Sequence, residues 1–295
     1  MLEEMNAADI AALLPVRPED GHKGTFGHLF VLAGSRGFTG AARLVCESAY
    51  RSGVGLVTLG VPGPLADIVA ASLRETMTLV LPATVSESFA RTALVPALAF
   101  ARGKDAVALG PGLSRHPQTA LFAREMALQC PAPMVVDADG LNALAAEGVF
   151  GGFGKEGPAG PRVFTPHPGE MARLTGLGVS EIRLARVQTA MDAAKTWKVV
   201  VVLKGHGTIV AAPDGRAASC PTGGPGLAKG GSGDVLTGII GALLAQGMDP
   251  FGAACAGVYA HGLAGDIAAL RMTSRGMIAG DVIDALPAAW HELEG

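Results

Sequence analysis

The sequence predicts an α/β protein built as a three-layer sandwich, a mostly parallel central sheet covered by helices on both faces. Three observations lead there. Apolar strand-like segments recur along the 295 residues, each running into a Gly- or Asp-containing loop and often into a helical pattern. Several of those segments, VVVVL at 199–203 among them, are apolar at every position, which burial on both sheet faces requires. Strands that alternate with helical patterns pair in parallel through right-handed crossovers.

In chain order, HLFVLAGSRGFTGAARLVCESAYRSGVGLVTLGV (28–61) reads as strand, glycine loop, helix, strand. DAVALGPGLSR (105–115) is a short strand closing on Gly110, Pro111 and Gly112. APMVVDADGLNALAA (132–146) ends its strand on Asp137 and starts a helix near Asn142. RVFTPHPGEMARLTG (162–176) repeats the plan with His167 and Glu170, and KVVVVLKGHGTIVAAPDG (198–215) adds a strand, a tight turn and a returning strand. GGFGKEGPAGPR (151–162) reads as a surface loop and not a boundary, because the strand–loop plan resumes behind it. The expectation is one domain over 1–295, with 1–21 as a lead-in. Ligands of such sheets gather outside the carboxyl ends of the strands, which places Gly34, Ser35, Gly110, Gly112, Asp137, Asp139, His167 and Lys204 near one rim.

The last unit, LAKGGSGDVLTGIIGALLAQG (227–247), carries the chemistry. Val235, Leu236, Ile239, Ile240, Leu243 and Leu244 recur at helical spacing, so a helix begins at or just before Asp234 and stops near Gly247. The amides of a first helical turn lack intrahelical partners and sit at the positive end of the dipole. Gly230, Gly231, Ser232 and Gly233 let an anion approach them, most naturally phosphate. Asp234, in the same turn, is expected to stay ionised at neutral pH and to accept a proton from a hydroxyl held beside that phosphate. Anion hole plus base is a phosphoryl-transfer arrangement. A Walker loop is excluded because Lys229 precedes the glycines, and the spacing is wrong for a dinucleotide fingerprint.

Composition narrows the classes. Net charge is −3 with no basic block, which argues against nucleic acid. No uninterrupted apolar run reaches the roughly 18 residues of a spanning helix, so no membrane is expected. The opening MLEEMNAADIAALLPVRPED has acidic residues where a secretory leader has basic ones. Cys46, Cys130, Cys220 and Cys255 lie far apart and read as small buried residues in a reducing cytoplasm. His261 and Asp266, five apart, do not share a helical face, and no metal site is expected there.

GGSGD, TPHPGE, VVDADGLNAL, LKGHGT, HKGTFGHLFVLAGS, GAARL, RSGVGLVTLGVP and ALGPGL belong to a similarity that covers about residues 22 to 290. As a set they resemble the ribokinase-like superfamily and, within it, the ADP- or ATP-dependent NAD(P)H-hydrate dehydratases. The resemblance implies a ribokinase-like sandwich that restores hydrated NAD(P)H, by nucleotide-dependent phosphorylation of the ring hydroxyl and expulsion of phosphate, with ADP giving AMP. It implies Asp234 as catalytic base, Lys204, Gly205, His206, Gly207, Thr208 and Gly233 at the adenine nucleotide, and Ala41 or Ala42, Gly110 or Gly112, His167 and Asp234 at the hydrate. Mg²⁺ is implied as cofactor, with Glu170 acting on it through water. So are a separate epimerase as functional partner and a homo-oligomer, a tetramer. The chain departs from the family in reading Thr222, Gly223, Gly224 where Thr-Gly-Asn is usual. A kinase of a small vitamin-precursor alcohol (thiazole, pyrimidine or pyridoxal type) shares the fold, but there Asn-x-x-Glu replaces the His167–Glu170 pattern. A nucleotide-binding regulator without chemistry would not need Asp234.

Overall fold

A computed structural model describes residues 2–146 and 157–295. One ten-stranded sheet runs in the order β1-β10-β9-β8-β7-β6-β5-β2-β3-β4. The strands are β1 (Leu2–Glu4), β2 (His28–Leu32), β3 (Leu56–Pro62), β4 (Met77–Leu81), β5 (Ala106–Leu109), β6 (Met134–Val136), β7 (Arg162–Phe164), β8 (Val200–Leu203), β9 (Ile209–Ala211) and β10 (Ala217–Ser219). All pairings are parallel except those of β9 with β8 and β10.

Apolar residues at every strand position are explained by two cores, one on each face. Leu29 and Val31 of β2, Ala106 and Ala108 of β5, and Val200 and Val202 of β8 enter one core. Their neighbours Phe30, Leu32, Val107, Leu109, Val201 and Leu203 enter the other. Phe30 and Phe164 are fully buried in the second core, and truncating either to Ala costs about 3–5 kcal/mol.

The first face is covered by α1 (Ala7–Leu13), α2 (Thr39–Arg51) and three late helices, with the short α3 (Ala66–Ala70) following β3. The second face is covered by α4 (Leu94–Ala101), α5 (Pro117–Gln129), α6 (Ala138–Ala145), α7 (Pro168–Thr175), α8 (Val179–Leu184) and α9 (Arg186–Trp197). The late helices are α10 (Ser232–Ala245), α11 (Pro250–Gly276) and α12 (Ala279–Glu294). Residues 235–245 of α10 are all buried, as a helix apolar all round must be.

Two expectations shift, and a third lies partly outside the described residues. The helix after β6 starts at Ala138, not near Asn142, because Asp137 takes the N-cap position in extended backbone. The strand expected from Val199 begins at Val200. The expected surface loop falls partly, at 151–156, outside the described residues; 157–161 run as irregular chain into β7. Among the described helices, Pro250–Gly276 is long and apolar enough to cross a bilayer; 67% of its apolar window is buried here, packed against α10 and α12. All four cysteines are free and buried.

Candidate active site

The carboxyl ends of β6, β7 and β8 meet the amino end of α10 over a cavity of about 800 Å³. Asp137, His167, Lys204, Gly205, His206, Thr208, Gly230, Ser232, Gly233 and Asp234 line it, as do Gly223, Gly224 and His261.

The corner where an anion is expected is the start of α10. The helix opens at Ser232, two residues before Asp234, with Gly231 as N-cap at φ +90° and no side chain capping the first turn. Of the first-turn amides, that of Ser232 donates to the Lys229 carbonyl at 3.4 Å, and those of Gly233 and Asp234 are left for a ligand. The glycines serve different ends. Gly231 adopts the left-handed backbone that L residues resist. Gly230 has open space where a Cβ would stand, whereas a Cβ on Gly233 would lie 3.3 Å from both Asp137 Oδ2 and Lys204 Nζ.

Lys204 is the positive centre. Its Nζ donates to Asp137 Oδ1 at 2.7 Å and lies 3.9 Å from Glu170 Oε2, with 19% of its side chain exposed. Burial works against its charge, but Asp137 and Glu170 outweigh it, and its pKa rises above the ordinary value. The other Asp137 oxygen accepts from Thr237 Oγ1 at 3.0 Å. Thr237 lies one turn into α10, so Asp137 ties the sheet, the lysine and the helix that carries Asp234 together.

Asp234 corrects an expectation. Position in a first helical turn favours the carboxylate by roughly 0.3–1 kcal/mol. Burial, and then the charge of Asp137, push the other way, and Lys204 offsets them only in part; the pKa is raised to about 7. Asp234 is thus divided between acid and carboxylate at neutral pH, as suits a group that takes and returns a proton.

His167 caps α7. Its Nδ1 accepts from the amides of Gly169 at 3.0 Å and Glu170 at 3.3 Å, while Glu170 Oε2 accepts from the His167 amide at 2.8 Å. This capping box, with Pro168 in the first turn, is why TPHPGE starts a helix. Burial, then Lys204 and Arg173, lower the His167 pKa and keep the ring neutral. Burial also raises the Glu170 pKa, partly offset by Lys204. Among the described residues no group of three metal-type side chains occurs. Mg²⁺ keeps several waters and takes one or two carboxylates plus substrate phosphates; Glu170, buried behind His167 and Lys204 and not itself lining the cavity, fits only an outer place reached through water.

The structure separates the substrate candidates. Ala42 and Gly110 are buried, and Ala41 and Gly112 stay partly open. A Cβ on Gly112 would stand 3.0 Å from that of Ala41, so these two form one small surface. Neither they nor Gly207 and Gly231 border the main cavity. Gly110 has a packing reason to be glycine: at φ +130° a Cβ would lie 1.9 Å from the Asp137 carbonyl.

Two further residues have places in the site that their spacing does not reveal. His261 Nε2 lies 3.2 Å from Ser232 Oγ, and burial lowers its pKa to about 4, so it is neutral. Asp266 Oδ2 accepts from the Gly223 amide at 2.9 Å. They hold two different points of the glycine-rich wall and need no common helical face. Asp139 accepts from the Ser114 amide at 3.0 Å and from Asn142 at 3.3 Å; these two order the loops beside the rim.

A sheet of this order with its phosphate-type corner at the start of a late helix is the ribokinase-like class. The family follows from comparison. The family profile described as NAD(P)H-hydrate dehydratase matches residues 29–288. A bifunctional NAD(P)H-hydrate repair enzyme of Moorella thermoacetica is 45% identical over 290 residues, covering 98% of this chain and 54% of that protein. The chain thus spans about half the length of such bifunctional relatives. An ADP-dependent (S)-NAD(P)H-hydrate dehydratase of Bacillus subtilis is 35% identical, covering 97% of this chain and 96% of that one. A crystal structure of the ADP/ATP-dependent NAD(P)H-hydrate dehydratase from Bacillus subtilis, co-crystallised with ATP/Mg²⁺, superposes with a TM-score of 0.81 at 31% identity, covering 99% of each chain. The chain belongs to the NAD(P)H-hydrate dehydratase family.

Proposed function

We propose that this chain dehydrates (S)-NAD(P)H-hydrate with the help of an adenine nucleotide, ADP being the expected one. The observation that carries the reading within the family is the place of Asp234, in the first turn of α10 beside uncapped amides, with a pKa of about 7. The ring hydroxyl loses its proton to the Asp234 carboxylate as its oxygen bonds to the terminal phosphorus of the nucleotide. The bond from that phosphorus to the bridging oxygen breaks, and AMP leaves when ADP is the donor. The ring C–O bond then breaks with its electron pair going to phosphate, a proton leaves the adjacent carbon, and the double bond returns.

The amides of Gly230, Gly231 and Gly233, with Ser232 between them, hold the phosphoryl oxygens, and the Lys204 charge stands beside Gly233. Lys204 to Thr208, with Gly233, hold the nucleotide. Ala41, Gly112 and His167 hold the hydrate, with Ala42 and Gly110 shaping the surface from beneath. Mg²⁺, where bound, screens the phosphate charge, and Glu170 orders its water shell. An epimerase acting on the same hydrate supplies the (S) form.

The test is to incubate the purified protein with enzymatically hydrated NADH, Mg²⁺ and ADP or ATP. Reduced-nicotinamide absorbance returns, and AMP forms when ADP is used. No recovery with either nucleotide, together with phosphorylation of a thiazole, pyrimidine or pyridoxal alcohol, would transfer the chain to the kinase reading.

A further inference from the structure

We infer that Arg186 is a positioning residue for nucleotide binding: its guanidinium fork sets the shape of the 203–208 turn although it lines no part of the cavity. This rests on the reading of that turn as part of the nucleotide site. Arg186 opens α9 and lies half-buried beneath the turn. Its Nη1 donates to the His206 carbonyl, and its Nη2 donates to the Leu203 carbonyl at 3.2 Å. One rigid group thus grips the turn at its root and near its tip, a geometry that a planar fork provides and an ammonium does not.

The turn is shaped around that group. Gly205 stands at φ +147°, and a Cβ there would lie 3.1 Å from Arg186 Nη2. Thr208 Oγ1 closes the turn by donating to the Gly205 carbonyl at 2.9 Å, and the Lys204 amide donates to the Pro166 carbonyl at 2.9 Å. Those two contacts fix the ends of the turn. Arg186 alone among these groups holds the His206 carbonyl, and with it the direction in which Gly205, His206 and Thr208 face the cavity. Without the fork, two carbonyls lose a charge-assisted partner and the turn must be ordered when the ligand arrives. That cost falls on nucleotide affinity, not on the chemical step.

The experiment is direct calorimetric titration of ADP and of ATP, with Mg²⁺ present, into the wild type, R186A and R186K, with thermal unfolding measured alongside. Both variants should bind roughly tenfold or more weakly, the loss expected for a charge-assisted hydrogen bond. The kcat of hydrate turnover at saturating nucleotide should stay at the wild-type value. Wild-type affinity in R186A, or full rescue by R186K, would overturn the inference while leaving the proposed function intact. So would a fall in kcat at saturating nucleotide. A wild type that binds neither nucleotide would overturn the inference and the nucleotide site together. Should R186A not fold, R186K, which keeps the stem and the charge, decides the matter.

Discussion

Lys204 Nζ donates to Asp137 Oδ1 at 2.7 Å across the carboxyl edge of the sheet, and the pair underlies the whole site. Glu170, 3.9 Å away, and Asp234 also act on this ammonium, so one cation balances three acidic side chains. Burial first, and then the charge of Asp137, which Lys204 offsets only in part, raise the Asp234 pKa to about 7.

Replacing Lys204 by Met removes the charge that favours ionised Asp234. The Asp234 pKa must rise, so the acid limb of the pH–rate profile moves above its wild-type place near 7. Nucleotide affinity also falls. A pH profile of kcat checks the direction; a limb that stays or moves lower contradicts it.

Asp234→Asn makes a stability test of the same group. Its folded pKa, about 7, lies above the ordinary 3.8, so the folded state binds the proton more tightly than the unfolded chain does. The resulting stabilisation is fully present below about pH 4 and is lost as pH rises through 7, at up to about 1.4 kcal/mol for each pH unit between those limits. D234N has no proton to lose there, so the difference in Tm, variant minus wild type, grows between pH 5 and pH 7. Thermal unfolding at several pH values measures it.

Gly110→Ala should damage the site from beneath. The new methyl meets the Asp137 carbonyl at 1.9 Å, and the backbone there has φ +130°. Asp137 must shift, and Lys204 with it. The expected result is a loss of at least about 2 kcal/mol in urea unfolding, with a drop in kcat measured on the folded fraction.

Arg162 tests the scaffold away from the site. Only 1% exposed, it donates to the carbonyls of Ala127, Cys130, Pro161 and Ala132 behind the end of α5. Arg162→Met leaves those acceptors without this donor and should cost about 2–4 kcal/mol in denaturant unfolding. Nucleotide affinity in the folded protein should not change.

The strand–loop units, the two-faced burial and the onset of α10 are legible in the sequence because each is local. Period, turn residues and helix caps lie within a few residues of one another. What stays hidden depends on pairs brought together by topology. Asp137 and Lys204 are 67 residues apart, and Asp137 and Thr237 are 100 apart. Arg186 reaches its two carbonyls from the start of another helix, with no spacing signal to announce it. The start of α6 is obscured because Asp137 turns its carboxylate to Lys204 and leaves the cap unmade. Asp234 reads as ionised because the helix dipole is local; the burial and the neighbouring carboxylate that outweigh it are tertiary. Spacing tests His261 and Asp266 only as partners of each other, whereas each holds a different stretch of the cavity wall.

The most direct measurement compares D234N with the wild type in two numbers, kcat for hydrate dehydration and Kd for the nucleotide. With Asp234 as the base, kcat should fall on the order of 10²–10⁴-fold, as loss of a general base does, while Kd stays close to the wild-type value. Substantial turnover by D234N would contradict that role, because the proton of the ring hydroxyl would then have another acceptor.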